Sequence, residues 1–211
     1  MTRPAHARVG GPVVRRRRDR LGGTEGNEIL TSATAVVLTA LLIAEGVTIV
    51  WLGGLLTEHM FIGLVLIGPV VLKLGSTGYR FARYYAGARR YREKGPPLLA
   101  LRLLAPVLVT ATLVIFATGV ALLIIGHRSD LVLELHKIGF IVWGACFAVH
   151  VLCHLPWVWH ALGASRSDSR RERVPGSGLR GALVGASLGG GVGLALALLS
   201  LIEGWRRIRG G

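Results

Sequence analysis

Five histidines lie inside or at the edge of long apolar runs, His59, His136, His150, His154 and His160, whereas His6 and His127 sit in polar stretches. An imidazole at membrane depth faces the interior of a helix bundle and binds or relays something, because lipid offers it no partner. His59 and His136 each stand near the start of an apolar run that follows a short turn. The triplets Thr57-Glu58-His59 and Glu134-Leu135-His136 hold corresponding places after those turns, as do Glu45-Gly46-Val47 and Thr118-Gly119-Val120 before them. This internal repeat predicts two facing helical hairpins with His59 and His136 at one depth. One histidine from each of two facing helices is the ligand set for the iron of a flat macrocycle such as haem. The plain alternative is that both rings hydrogen-bond to the neighbouring turns.

His150 follows His136 by fourteen residues, about 21 Å of helical rise and only some 40° around the axis. That separation suits a second cofactor deeper in the same bundle. His154 lies one turn beyond His150, so one of the pair can hold an inner haem while the other bonds to a propionate, a backbone carbonyl or a quinone. Lys73 occupies the place after His59 that His150 occupies after His136, and a lysine is a poor counterpart for a histidine ligand. A structural role for His150 and His154 therefore stays open. Zinc is a weaker reading, since HVLCH lacks the acid that a metallopeptidase helix carries between its histidines.

Glu45 is a carboxylate inside the first apolar run, where a bare charge is costly. It can accept the free ring N–H of His59 or His136 and orient that ring, accept a proton at a quinol site, or serve as a packing hydrogen bond. At the turn before the fourth run, Arg128 and Lys137, with His127, are placed to neutralise propionates. Gly46, Gly63, Gly68, Gly119, Gly139 and Gly144 leave room for a flat group or for close helix crossings. Cys146 and Cys153 share one predicted helix face as small packing residues, too far apart along it for a disulfide. No set of residues resembles a hydrolytic nucleophile with its base.

The elements that must position these side chains follow from the apolar runs. Of 211 residues 52% are hydrophobic and 17% charged, a composition unlike that of a soluble domain. Five runs reach membrane-spanning length: about 28–53, 57–74 with a helical extension to 84, 98–125, 131–159 and 179–202. The predicted fold class is an all-α integral membrane protein, a four-helix transmembrane bundle plus a fifth C-terminal transmembrane helix. Residues 1–26 read as a disordered basic tail, 27–162 as the bundle, 163–178 as a polar linker and 179–211 as an accessory Gly-rich helix. In that helix Gly181, Gly185, Gly189 and Gly193 form one stripe, which can dock on the core, pair two protomers or receive a partner's helix.

The formal charge of +14 does not point to nucleic acid, because the arginines cluster just beyond the apolar runs. That placement predicts a cytoplasmic N-terminus, with both short turns on the opposite side. It leaves Arg206, Arg207 and Arg209 on the outer side, in mild conflict with the rule, and a re-entrant or surface-lying last helix would relieve it. Trp51, Trp157, Trp159 and Trp205 stand at run ends as interface anchors.

The stretches LLTEHMFIGLVLIGPVVLKLGSTGYRFARYY and LELHKIGFIVWGACFAVHVLCHL resemble bacterial cytochrome b561-type membrane proteins, a group that includes the haem b subunits of hydrogenases and formate dehydrogenases. The resemblance covers about residues 27 to 160. It implies a protein of the bacterial plasma membrane that carries electrons between a quinone pool and a redox partner through haem b, with His59 and His136 as outer ligands and His150 or His154 as an inner one. Many members hold two haems, and Lys73 departs from that pattern. The competing classes are a cofactor-free anchor or scaffold of a redox complex and a small transporter; the latter expects paired helix breaks that Pro69 and Pro106 do not form.

Overall fold

The computed structural model describes residues 22–93, 95, 99–125, 129–164 and 174–209, and among them it holds helices and no strand. The chain runs α1 (Gly23–Val50), α2 (Leu52–Tyr85), a single turn α3 (Arg89–Arg92), α4 (Leu99–Ile125), α5 (Asp130–Ala164), α6 (Ser177–Ala197) and α7 (Leu199–Arg209). Five of these, α1, α2, α4, α5 and α6, are long and apolar enough to cross a membrane. Their surfaces are correspondingly apolar, with side chains such as Ile43, Val71, Ile141 and Leu152 largely exposed. That pattern suits lipid as the solvent.

The α1–α2 connection is as tight as the sequence requires. The Trp51 N–H still donates to Val47 O at 3.3 Å, while Gly54 and Leu55 donate back to Trp51 O at 3.0 Å. Leu55 has non-helical angles (φ −115°, ψ 27°), so the first turn of α2 is set off from the long helix that carries His59. The extension of α2 past its apolar run continues to Tyr85. Pro69 and Pro106 sit inside α2 and α4 without ending either helix.

Two boundaries differ from expectation. Residues 23–26, assigned to the tail, are the first turn of α1. Gly22 and Gly23 have φ of 83° and 67°, and a Cβ at Gly22 would meet Val174 and the Pro175 carbonyl. The polar start of α1 is thus held against the start of α6, and Asn27 donates to Ser76 O at 3.1 Å. The last run is also not one helix. It breaks at Leu198 (φ −100°, ψ 8°), and α7 packs against α2 and α4, with the Trp205 indole N–H donating to Leu123 O at 3.4 Å. Residues 1–21, 165–173, His127 and Arg128 lie outside the described residues.

Helix pairing is hierarchical. α1 packs on α2 and α4 on α5, while α6 lies along α2, and the two hairpins meet chiefly through α2 and α4. The α2–α6 crossing brings backbone onto backbone: a Cβ at Gly68 would fall on Ser187 O, and one at Gly191 on Val65 O. The glycines that dock α6 are therefore not the predicted stripe. Gly181, Gly185, Gly189 and Gly193 face the other way, with no atom within 4 Å of a Cβ built at any of them. The buried cluster Leu64, Val65, Leu123, Ala195 and Ile202 ties α2, α4, α6 and α7 together.

Candidate functional site

His59 stands in the second turn of α2 beyond the Leu55 distortion, and His136 stands in the second turn of α5. The structure brings the two imidazoles together across the hairpins, with ring centroids 6.4 Å apart and planes at 83°. No other pair of histidines from different helices meets among the described residues.

Each ring is held through Nδ1. The His59 Nδ1 lies 2.9 Å from Glu45 Oε1, with the two side chains 21% and 12% exposed. Thr48 Oγ1 is 3.3 Å from the same nitrogen, and the Thr48 hydroxyl also donates to Glu45 O at 2.6 Å. The His136 Nδ1 lies 3.0 Å from Thr118 Oγ1 and 3.2 Å from Ile115 O. The Thr118 hydroxyl itself donates to Val114 O at 2.6 Å, so its oxygen accepts from the ring. A carboxylate and a backbone carbonyl can only accept, which assigns the proton of both rings to Nδ1. Neither Nε2 has a hydrogen-bond partner among the described residues. Locking the far nitrogen on a carboxylate or carbonyl is how metal-binding histidines are oriented.

The spacing fits a shared metal. Two imidazole–metal bonds of about 2 Å, each with roughly 1.1 Å from nitrogen to ring centre, put the centroids roughly 6 Å apart. The room for His136 depends on one glycine, since a Cβ at Gly119 would sit 3.3 Å from His136 Cε1. On the other hairpin a Cβ at Gly63 would touch Glu45 Oε1 at 3.5 Å. Gly139 admits α4 against α5, whereas nothing lies within 4 Å of a Cβ at Gly46 or Gly144.

The repeat seen in the sequence acquires a physical meaning here. Glu45 and Thr118 hold matching places before their turns, and each supplies the acceptor for the histidine of its own hairpin. The sequence does not mark Thr48 and Ile115 as orienting groups. Thr48 lies one turn after Glu45, and a carbonyl such as that of Ile115 leaves no trace in residue type.

The remaining candidates lie elsewhere. His150 and His154 meet edge to face along α5, ring centroids 4.6 Å apart and planes at 62°, and no histidine from another helix faces them among the described residues. Lys73 reaches across to α1, donating to Thr31 O at 3.0 Å. Lys137 is engaged with Glu134 Oε1 at 2.9 Å on the exposed side of α5. Cys146 and Cys153 are free thiols. No group of three or more His, Cys, Asp or Glu side chains is gathered for a metal ion among the described residues. No family model, curated protein or solved structure matches the chain.

Proposed function

We propose that the chain is a membrane-embedded b-type cytochrome that passes electrons between a quinone pool and a redox partner. The observation that carries this reading is the His59–His136 pair, 6.4 Å between centroids, with both Nδ1 atoms engaged and neither Nε2 hydrogen-bonded among the described residues. On this reading the two hairpins close as a four-helix bundle around the cofactor, with α6 as a fifth span, in a bacterial plasma membrane with the N-terminus cytoplasmic. Haem b, when bound, supplies an iron that gains and loses an electron while its axial ligands stay in place.

The chain's own residues set the conditions for that chemistry. His59 and His136 hold the group from two helices, so neither hairpin can carry it alone. Glu45 accepts from His59 and makes that ring the more electron-rich of the two, while Thr118 and Ile115 O orient His136 with neutral acceptors. The partial burial of the pair, with the His59 and Glu45 side chains 21% and 12% exposed, bears on the potential. His150 and His154 are assigned no iron, because no facing ligand stands among the described residues.

The test is a pyridine haemochrome assay with iron quantification on detergent-purified protein, repeated for His59→Ala and His136→Ala. The expected result is a single b haem per chain, lost in either variant. Haem no more than trace, despite expression with adequate haem supply, sinks the reading. A cofactor-free anchor or scaffold is the second reading, favoured by the unoccupied glycine stripe of α6.

A further inference from the structure

α2 outlasts its apolar run. Leu52 to Leu74 rises about 33 Å, enough to cross the hydrocarbon layer, and the helix continues from Gly75 to Tyr85. That extension reads GSTGYRFARYY, and its Tyr79, Phe81 and Tyr85 side chains are more than half exposed. Aromatic rings collect at the headgroup level, where one side meets lipid and the other meets water. An exposed Phe81 between Arg80 and Arg83 fits the surface of a bilayer better than bulk water.

The extension ends in a hydrogen-bonded reversal. The Gly87 N–H donates to Tyr84 O at 3.2 Å and the Ala88 N–H to Arg83 O at 3.1 Å, the two bonds of a Schellman ending, with Gly87 in the left-handed conformation at φ 79°. The chain of α3 is thereby turned back on α2, and Tyr91 meets Tyr79 edge to face, ring centroids 6.2 Å apart and planes at 83°. Arg89, Arg90 and Arg92 return with it toward Arg80 and Arg83. From the other hairpin Arg102, in the first turn of α4, donates to the Tyr85 hydroxyl, with its guanidinium carbon 5.9 Å from the ring centre.

Positive charge is in excess here. Between Tyr79 and Glu93 the chain carries five arginines and one glutamate. Arg89 pairs with Glu93 at 2.9 Å, and Arg80 stands 3.8 Å from Glu28, but ion pairs as exposed as these are weak. Arg83 and Arg92 are exposed and make no ion pair among the described residues.

We propose that the α2–α3 reversal, together with Arg102, is a binding surface for the headgroups of anionic phospholipids. The guanidinium groups take the phosphates, for which their planar fork of donors is suited, while Tyr79, Phe81 and Tyr85 enter the headgroup layer. Basic clusters just beyond a membrane span are drawn to anionic lipid by about fivefold in binding per residue. The Schellman ending makes the cluster a folded platform rather than a run of charge along a loop. The surface is independent of the haem reading, and its test does not read haem.

The full chain is purified from detergent micelles carrying equal amounts of phosphatidylcholine and phosphatidylglycerol, and the retained lipid is identified by native mass spectrometry. Phosphatidylglycerol is expected to be enriched. Arg83→Gln/Arg92→Gln, which leaves the ring contacts and the reversal in place, is expected to lower the enrichment about fivefold per arginine removed, and Arg83→Lys/Arg92→Lys to keep it. Gly87→Val changes no charge and meets no neighbour within 4 Å, but a β-branched residue is strained at that φ; it is expected to lower the enrichment with helix content unchanged. Equal retention of the two lipids, or a ratio unchanged in the folded variants, overturns the proposal. So does an equal loss in Arg206→Gln/Arg207→Gln, which removes as much charge from α7, packed at the other end of α4. Displacement of phosphatidylglycerol by inorganic phosphate at matched ionic strength overturns it too, because the arginines would then serve the free ion.

Discussion

Glu45 holds His59 by a 2.9 Å contact from its carboxylate to the ring Nδ1, whereas the equivalent place in the second hairpin, Thr118, offers His136 only a hydroxyl oxygen at 3.0 Å. The two rings are thus oriented alike and polarised unequally. A carboxylate acceptor raises the basicity of an imidazole more than a hydroxyl does, so the two ligand sides of the site differ in electronic character.

Glu45→Gln keeps an acceptor oxygen and removes the charge. On the cytochrome reading it weakens haem retention by about 10- to 100-fold and raises the midpoint potential, because a less electron-rich ligand stabilises the oxidised iron less. Spectroelectrochemical titration of purified protein checks this, and an unchanged potential would mean that the carboxylate does not act on the ligand.

Thr118→Val removes the hydroxyl but leaves Ile115 O as an acceptor for His136, 3.2 Å away. Its effect on haem retention and potential is expected to be smaller than that of Glu45→Gln. A larger effect would reverse the assignment of the stronger orienting group.

Gly119 lies against His136, with 3.3 Å from a built Cβ to the ring. Gly119→Val is expected to abolish the haem absorption band while circular dichroism still reports a helical chain, and Gly119→Ala is expected to reduce it partially. Full haem occupancy in Gly119→Val would show that the ring position tolerates displacement.

Gly191 and Gly189 are two residues apart on α6, yet only Gly191 meets the backbone of α2. Gly191→Ala is expected to destabilise the protein by about 1–3 kcal/mol through overpacking. Gly189→Ala is expected to be neutral or stabilising, since helix propensity improves by up to about 1 kcal/mol where space is open. Thermal unfolding in detergent separates the two, and equal effects would contradict the assignment of the docking face.

Asn27 ties α1 to α2 through Ser76 O at 3.1 Å, buried at the Arg-rich end. Asn27→Ala is expected to cost about 1 kcal/mol, read as a lowered midpoint in the same unfolding assay. No loss would mean that water or lipid satisfies the Ser76 carbonyl equally well.

The sequence by itself determined which segments can enter a membrane, because runs of about 20 apolar residues have no better place and their backbone must be helical there. It also marked His59, His136, Glu45 and Lys73, since a polar side chain in such a run is conspicuous by type alone. The repeat placed the two histidines at one depth because rise per residue is fixed. What it left open was rotation and pairing. The glycine stripe Gly181 to Gly193 is the more regular small face of α6, yet Ser187 and Gly191, four residues apart on another face, meet α2. Spacing identifies faces on which backbones can approach, but not which face a neighbour fills. Likewise only the tertiary structure decided that Glu45 serves His59, that Ile115 O and Thr118 serve His136, and that Lys73 turns toward α1. These partners sit on different helices, and their meeting depends on how the hairpins rotate against each other, which the period of a single helix does not encode.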